Sequence, residues 1–284
     1  MKIDDFRRQI WSFYHEQGRR LAWRETRDPY AIVVSEIMLQ QTQVERVAQK
    51  YPLFLQRFPD FTALAAASVA EVLAAWQGLG YNRRALYLLR LAQQVQSQHG
   101  GILPADLARL KALPGIGAAT AASILAFAFN QPVIFIETNI RRVFLHSFFP
   151  GEQRVHDTQL LPLIEAALDR ENPREWYYAL MDFGSALKKK TANPNRRSAH
   201  YQRQSKFAGS VREMRGNIVR YLLDHRSCDE LTLQQLWPDA ELRIRTALEQ
   251  LTAEGFLICD RSGRYALSET KPDQVDLAEN QIEQ

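Results

Sequence analysis

Apolar side chains recur at three- and four-residue spacing along almost all of the chain before residue 210, and Pro, Gly, Asn or Asp interrupts each run. This periodicity predicts helices over 6–17, 30–54, 63–67, 69–77, 83–99, 105–110, 117–129, 140–148, 157–168 and 176–187. From Ser210 the pattern changes. Helices are expected over 211–224, 232–236 and 240–254, followed by two short apolar runs, 255–259 and 263–267, around the polar tip Asp260-Arg261-Ser262-Gly263. The expected fold class is mainly α over 1–209, with a module over 210–270 whose pattern is that of a winged helix (α+β) or of a small packing domain. The last stretch, 271–284, is polar and acidic and is expected to be disordered.

Composition sets limits on this picture without deciding it. The apolar share of 46% and charged share of 24% are ordinary for a globular protein, and no run of about eighteen apolar residues is present to span a bilayer. The opening Met1-Lys2-Ile3-Asp4-Asp5 has no signal-peptide pattern, so a cytoplasmic, nucleoid-associated protein is expected. Two cysteines, Cys228 and Cys259, are too few for a disulfide scaffold or a cysteine-ligated cluster; neither metal nor cofactor is expected. Net charge is +4, and the positive charge clusters over 188–215 in Lys188, Lys189, Lys190, Arg196, Arg197, Arg203, Lys206, Arg212 and Arg215. Such a run either grips phosphates or is simply a solvated face.

Chemistry is suggested by one turn and two carboxylates. In Leu113-Pro114-Gly115-Ile116-Gly117, Pro114 stops a helix and Gly115 and Gly117 are expected to take positive φ, exposing N–H groups at the start of the next helix as an uncharged phosphate site. The same pentapeptide also makes ordinary helix connections. Downstream, Ile136-Glu137-Thr138-Asn139 places an acid beside amide donors. Upstream, Glu36, Gln40 and Gln43 fall on one face of the expected 30–54 helix within strongly apolar surroundings. A desolvated Glu36 would hold its proton near neutral pH and act as a general acid, while Glu137 stays ionised. A lone buried glutamate can equally make a structural hydrogen bond.

Six motifs, in order along residues 5–187, carry a resemblance: Leu21-Ala22-Trp23-Arg24, Asp28-Pro29-Tyr30, Ser35 to Gln43, Trp76-Gln77-Gly78-Leu79-Gly80-Tyr81, Leu113 to Gly117, and Ala179-Leu180-Met181-Asp182-Phe183-Gly184. Together they resemble the helix-hairpin-helix (HhH-GPD) DNA glycosylase superfamily, its adenine-specific A/G branch more than its endonuclease III branch. The resemblance implies a two-lobed helical fold that grips duplex DNA with the hairpin and flips the target nucleotide out of the stack. It implies Glu36 as general acid, Glu137 as the carboxylate facing the sugar cation and Asn139 as its orienter. Leu21 and Trp23 would line the base pocket; Gln41 and Tyr81 would wedge into the stack. Gly115, Gly117 and Thr120 would meet DNA at the hairpin. Apart from the resemblance, Lys188, Lys189, Arg196 and Arg197 of the basic segment are candidate DNA contacts, as are Arg243 and Arg245 on the third helix if the last module is a winged helix. A monomer is expected.

The chain departs from the resembled pattern in four places. Glu137 stands where the family has aspartate; the extra methylene keeps the charge but moves the carboxylate, and such a displacement can cost about 10²-fold in rate. Ala119 stands where the endonuclease III branch has its nucleophilic lysine, which points to water as the attacking group and no lyase activity. The four-cysteine iron–sulfur loop is replaced by the basic segment that starts at Lys188. Tyr178 replaces a polar residue that reads adenine, and the module that checks the opposite base is replaced by the winged-helix candidate. The expectation is a monofunctional DNA glycosylase of base excision repair, acting on adenine opposite damaged guanine; a glycosylase for another damaged base, a non-catalytic DNA-binding protein and a bifunctional lyase stay open.

Overall fold

In the computed structural model, residues 1–202 and 206–268 are described; Arg203 and the tail expected to be disordered lie outside them. The elements in order are α1 (Ile3–Gln17), a 3₁₀ turn (Ala22–Arg24), α2 (Pro29–Leu39), α3 (Val44–Arg57), α4 (Phe61–Ala65), α5 (Val69–Trp76), α6 (Arg83–His99) and α7 (Leu107–Lys111). Then follow α8 (Ala118–Phe129), α9 (Thr138–Phe148), α10 (Asp157–Ala167), α11 (Pro173–Lys190) and a 3₁₀ turn (Pro194–Arg197). The chain continues through α12 (Val211–His225), β1 (Ser227–Cys228), α13 (Glu230–Leu236), a 3₁₀ turn (Pro238–Ala240), α14 (Glu241–Ala253), β2 (Leu257–Cys259) and β3 (Tyr265–Leu267). The protein is mainly helical, and no helix among the described residues is long and apolar enough to cross a membrane.

Two compact units make up the chain. The first contains Met1–Glu36, Pro104–Ala112 and the described residues from 116 to 202. Its core is aromatic: the Phe6 ring lies 5.0 Å from both Phe144 and Phe148 and meets Trp176 edge-on, which joins α1 to α9 and α11. The α9–α11 contact is unusually close, because a Cβ at Gly184 would fall 2.6 Å from the Asn139 carbonyl oxygen. Only glycine at this place in α11 lets the first turn of α9 approach so near.

The second unit contains Ile37–Leu103, Leu113–Gly115 and the described residues from 206 to 268. A capping box between Ser68 and Glu71 starts α5, and α4 and α5 pack on α6. Arg84, buried at the start of α6, donates to the carbonyls of Ile37, Met38 and Gln40 at 2.8, 2.9 and 2.5 Å, and to those of Leu79 and Gly80 at 3.2 and 3.0 Å. It also donates to Thr42 Oγ1 at 2.9 Å. One guanidinium therefore satisfies the exposed end of α2 and the turn before α6 together. Within the same unit α12 packs on α14, and Glu254 pairs with both Arg83 and Arg215. The strands form an antiparallel sheet in the order β1-β3-β2, with Tyr265 opposite Cys228 on one side and Cys259 on the other.

Two differences from the periodicity matter. The expected 30–54 helix is two helices, α2 and α3, so Glu36 shares no helical face with Gln40 and Gln43: Gln40 lies beyond the end of α2 and Gln43 is the N-cap of α3. The break has a physical cause, since Arg84 draws off the terminal carbonyls of α2 and Gln41 turns left-handed at φ 55°. Second, β1 was not foreseen; two residues are too short to show alternation.

Replacing Arg84 by Met keeps the length but orphans these carbonyls, and chemical denaturation is expected to show a loss of about 3 kcal/mol or more. A loss under about 1 kcal/mol would mean that water or backbone adjustment satisfies them. Gly184→Ala is expected to lower the melting temperature as well, through the clash with Asn139.

Candidate active site

Glu36 is the last residue of the first unit, on α2 among the buried Ile32, Val33 and Ile37. Part of its surface stays open, while protein atoms surround the rest. Its Oε2 accepts a 2.6 Å hydrogen bond from Ser123 Oγ on α8. Burial pushes the Glu36 carboxyl up to about 7; Ser123 pulls it down, the charge of Glu137 raises it and Arg24 lowers it. At neutral pH the group is therefore divided between acid and carboxylate.

Glu137 is built differently. It is the N-cap of α9, and its Oε1 accepts from the backbone N–H groups of Asn139 and Ile140 at 2.6 and 2.7 Å. Asn139 Nδ2 donates to its Oε2 at 3.2 Å, and Arg142 Nη1 holds the Asn139 side chain through Oδ1 at 2.7 Å. Burial pushes Glu137 upward, against the Ile140 and Asn139 backbone bonds, the Arg142 charge and the Asn139 side chain. The charge of Glu137 in turn raises Glu36, so the two acids are coupled. The N-terminus of α9 adds a favourable dipole to that charge.

Around this pair stand groups from three other elements of the same unit. Tyr178 on α11 is 3% exposed; its ring stacks on Phe127 with centroids 4.6 Å apart, and the Arg24 guanidinium lies 4.5 Å from its centroid. Arg24 is held by Asp182, Nη1 to Oδ2 at 2.9 Å and Nη2 to Oδ1 at 2.8 Å, and Arg19 completes the cluster with Nε to Oδ1 at 2.6 Å. Burial works against the charge on Asp182, but the hydrogen bonds and charges of Arg24 and Arg19 outweigh it and hold this carboxyl below the usual range. Trp23 is buried beside Arg24 in the chain, and Leu21, half-buried, precedes that 3₁₀ turn.

The remaining sequence candidates fall as follows. Ala119 and Thr120 occupy the first turn of α8, whose N-cap is Gly117. Gly115 takes the expected positive φ of 76°, and a Cβ there would press on Tyr87 at 2.8 Å. Gly117 does not: its φ is −82°, because it is an N-cap in extended conformation, and a Cβ there would meet nothing within 4 Å. Gln41 and Tyr81 belong to the second unit, and both have left-handed backbones, at φ 55° and 49°. Such backbones are strained and concentrate at functional positions. Lys188 and Lys189 end α11 and are exposed, as is Arg196. Arg197 instead turns its guanidinium to the carbonyls of Leu145 and Phe149 at the end of α9. In the second unit Arg243 bonds the Asp239 carbonyl, and Arg245 pairs with Glu230 and Glu241.

Four residues of this arrangement carried no expected role: Ser123, Arg24, Arg142 and Asp182. Arg24 and Asp182 stood inside recognisable motifs, but their pairing is long-range. Ser123 left one faint signal, a single hydroxyl within an otherwise apolar run of α8. The segment after α11 holds no cysteine and does not fit an iron–sulfur cluster; the described cysteines, Cys228 and Cys259, are both free and lie elsewhere. Among the described residues no group of three or more His, Cys, Asp or Glu could hold a metal ion.

Residues 34–161 match the family described as HhH-GPD superfamily base excision DNA repair protein. The chain is 33% identical over 282 residues to an adenine DNA glycosylase of Mycolicibacterium smegmatis, spanning 92% of this chain and 95% of that protein. It is 35% identical over 184 residues to an adenine DNA glycosylase of Buchnera aphidicola, spanning 64% of this chain and 52% of that one. A solved thermostable thymine-DNA glycosylase superposes with TM-score 0.59 at 28% identity, over 64% of this chain and 86% of that one. With helical architecture and similarity agreeing over nearly its whole length, the chain belongs to the HhH-GPD superfamily of base excision DNA repair proteins, among its DNA glycosylases.

Proposed function

We propose that the chain is a monofunctional adenine DNA glycosylase, hydrolysing the N-glycosidic bond of a flipped adenine opposite damaged guanine in duplex DNA and leaving an abasic site. The observation that carries this reading is the unequal pair of acids: Glu36, pushed up to about 7, beside Glu137, anchored by three N–H donors. A protonated Glu36 gives its proton to a ring nitrogen of the base. The C–N bond then breaks with its electron pair leaving on the base, and Glu137 stabilises the positive charge that develops on the sugar. Water adds to the sugar carbon and passes a proton to the ionised Glu36, which restores the acid. Ala119 offers no nucleophile, which supports hydrolysis over covalent chemistry.

Adenine is the base this reading assigns, and Tyr178 does not select it by stacking, since the ring is 3% exposed with Phe127 stacked on it and the Arg24 guanidinium 4.5 Å from its centroid. The names of the relatives point to the same base. For DNA contact, the N-terminus of α8 behind Gly117, which lacks a side-chain cap, suits a phosphate. Gln41 and Tyr81 suit a stacking wedge, and Lys188, Lys189 and Arg196 an electrostatic clamp. The helix–strand–helix–helix–strand–strand order of residues 211–268 supports a winged helix with Arg243 and Arg245 on its third helix. The setting proposed for this activity is a cytoplasmic monomer acting on duplex DNA.

A panel of mismatched and damaged duplexes, followed by alkaline cleavage of abasic sites, tests the reading. Strand breaks at adenine opposite 8-oxoguanine or guanine are expected; cleavage at another base, or binding without cleavage, would reject adenine or catalysis respectively. Borohydride is expected to trap no covalent adduct. Glu36→Gln is expected to abolish base release while DNA affinity stays near normal, because an amide has no acidic proton to donate. Glu137→Gln keeps the helix cap but removes the charge, and single-turnover excision should fall by about 10²-fold or more with little change in melting temperature. Since excision needs Glu36 protonated and Glu137 ionised, the rate should pass through a maximum, falling as pH rises through about 7 and falling again at lower pH where Glu137, itself pushed upward by burial, takes a proton; a rate that climbs as pH rises through about 7 would reverse the assignment of acid.

A further inference from the structure

Ser123 has one hydroxyl hydrogen and two acceptors within reach, Glu36 Oε2 at 2.6 Å and the Thr120 carbonyl oxygen at 3.0 Å. It is 4% exposed and flanked on α8 by the buried Ala121, Ala122, Ile124 and Leu125. A hydroxyl in such surroundings is costly unless bonded. The bond to Glu36 accounts for its presence there. We propose that Ser123 is a positioning residue that keeps its hydrogen on Glu36 Oε2, so that the transferable proton resides on Oε1, and that it stabilises the carboxylate left after transfer. This inference rests on the assignment of Glu36 as general acid.

Two proton arrangements are possible when Glu36 is protonated. If the serine hydrogen points to Thr120, the Glu36 proton must lie on Oε2, aimed at the serine oxygen and buried inside the protein. That state cannot deliver its proton to a base. If the serine hydrogen stays on Oε2, the acidic proton is left to Oε1, the oxygen not occupied by Ser123. The 2.6 Å contact lies in the range of about 2.5–2.7 Å for hydroxyl donors to ionised carboxylates, which places the serine hydrogen on Oε2 while Glu36 is charged; keeping it there when Glu36 takes up a proton leaves that proton to Oε1, which is the second arrangement. As the proton leaves Oε1 for the base and the base departs with the glycosidic electron pair, Oε2 gains negative charge and the serine bond strengthens. An interaction that is stronger in the transition state than in the ground state speeds the step.

Other groups acting on Glu36 are Glu137 at the N-cap of α9, Arg24 in the first 3₁₀ turn and Tyr178 on α11. None of them lies on α8, so a change at 123 removes one influence and leaves the rest in place. Ser123 favours the ionised form; its loss therefore moves the titration of Glu36 upward.

The test compares the full chain with Ser123→Ala, Ser123→Thr and Glu36→Gln, in single-turnover excision across pH and by carboxyl NMR titration of Glu36 in the free protein. For Ser123→Ala the maximum of the pH profile is expected to drop about tenfold, the difference between a hydrogen bond to a neutral and to a charged acceptor, with an unchanged melting temperature. Its falling limb and NMR midpoint should both move to higher pH, and Ser123→Thr should bring both back toward the parent. An NMR midpoint that stays put in Ser123→Ala overturns the proposal, whether or not turnover falls, because a merely structural serine would leave it in place. Should Glu36→Gln retain full excision, the acid assignment itself fails; should Glu36→Gln be inactive while Ser123→Ala matches the parent, only the serine proposal falls.

Discussion

The withdrawal of water from Glu36 is the constraint on which the site depends. A carboxyl in that position is unfavourable whenever charged, so its proton stays on to about neutral pH, where an exposed glutamate would have lost it long before. The fold moderates the penalty with a single hydroxyl bond and the more distant charge of Arg24. Glu137 resolves the same difficulty in another manner. Two backbone N–H groups, one side-chain amide and a helix N-terminus replace part of the lost water and favour the charge, against a burial that still pushes this carboxyl upward. Two glutamates thus differ in chemistry because one faces apolar side chains and the other faces donors.

Several arginines serve as helix-end ligands. Arg84 takes the last carbonyls of α2, Arg174 Nη2 bonds the Ala128 carbonyl near the end of α8 at 3.1 Å, and Arg197 takes the end of α9. Arg142 bridges Asn139 and the Gly184 carbonyl, tying α9 to α11 just where Gly184 lets them meet. Part of the positive charge that makes this chain look like a nucleic-acid binder is thereby committed to its own architecture. What remains at the surface of α11 and at Arg196 is a smaller patch than the composition suggests.

The segment after α11 shows the same economy. Asn195 Nδ2 donates to the Thr138 carbonyl at 2.9 Å, one residue from Glu137, Arg142 Nε reaches Asn193 Oδ1 at 3.4 Å, and a bridge pairs Val155 with Ser198. Neutral amides and backbone pairing brace the start of α9 here, with no thiolate involved.

Helical periodicity and punctuation alone determined the all-α body, the small C-terminal sheet region and the turn at Gly115, because those depend on residues close in sequence. Motif order singled out Glu36, Glu137, Asn139 and Tyr178 as candidates for the same reason: each sits in a short, recognisable string. The break of α2 at Gln40 could not be read locally, since its cause is a guanidinium from α6, and a continuous apolar pattern hid it. Nor could the hydroxyl of Ser123, the Arg24–Asp182 pair or the internal bonds of Arg197 be foreseen, for each partner comes from a distant part of the chain. Sequence names the ionisable groups; only the tertiary structure decides how much water and how many donors surround each one, and that surrounding sets which holds a proton and which holds a charge.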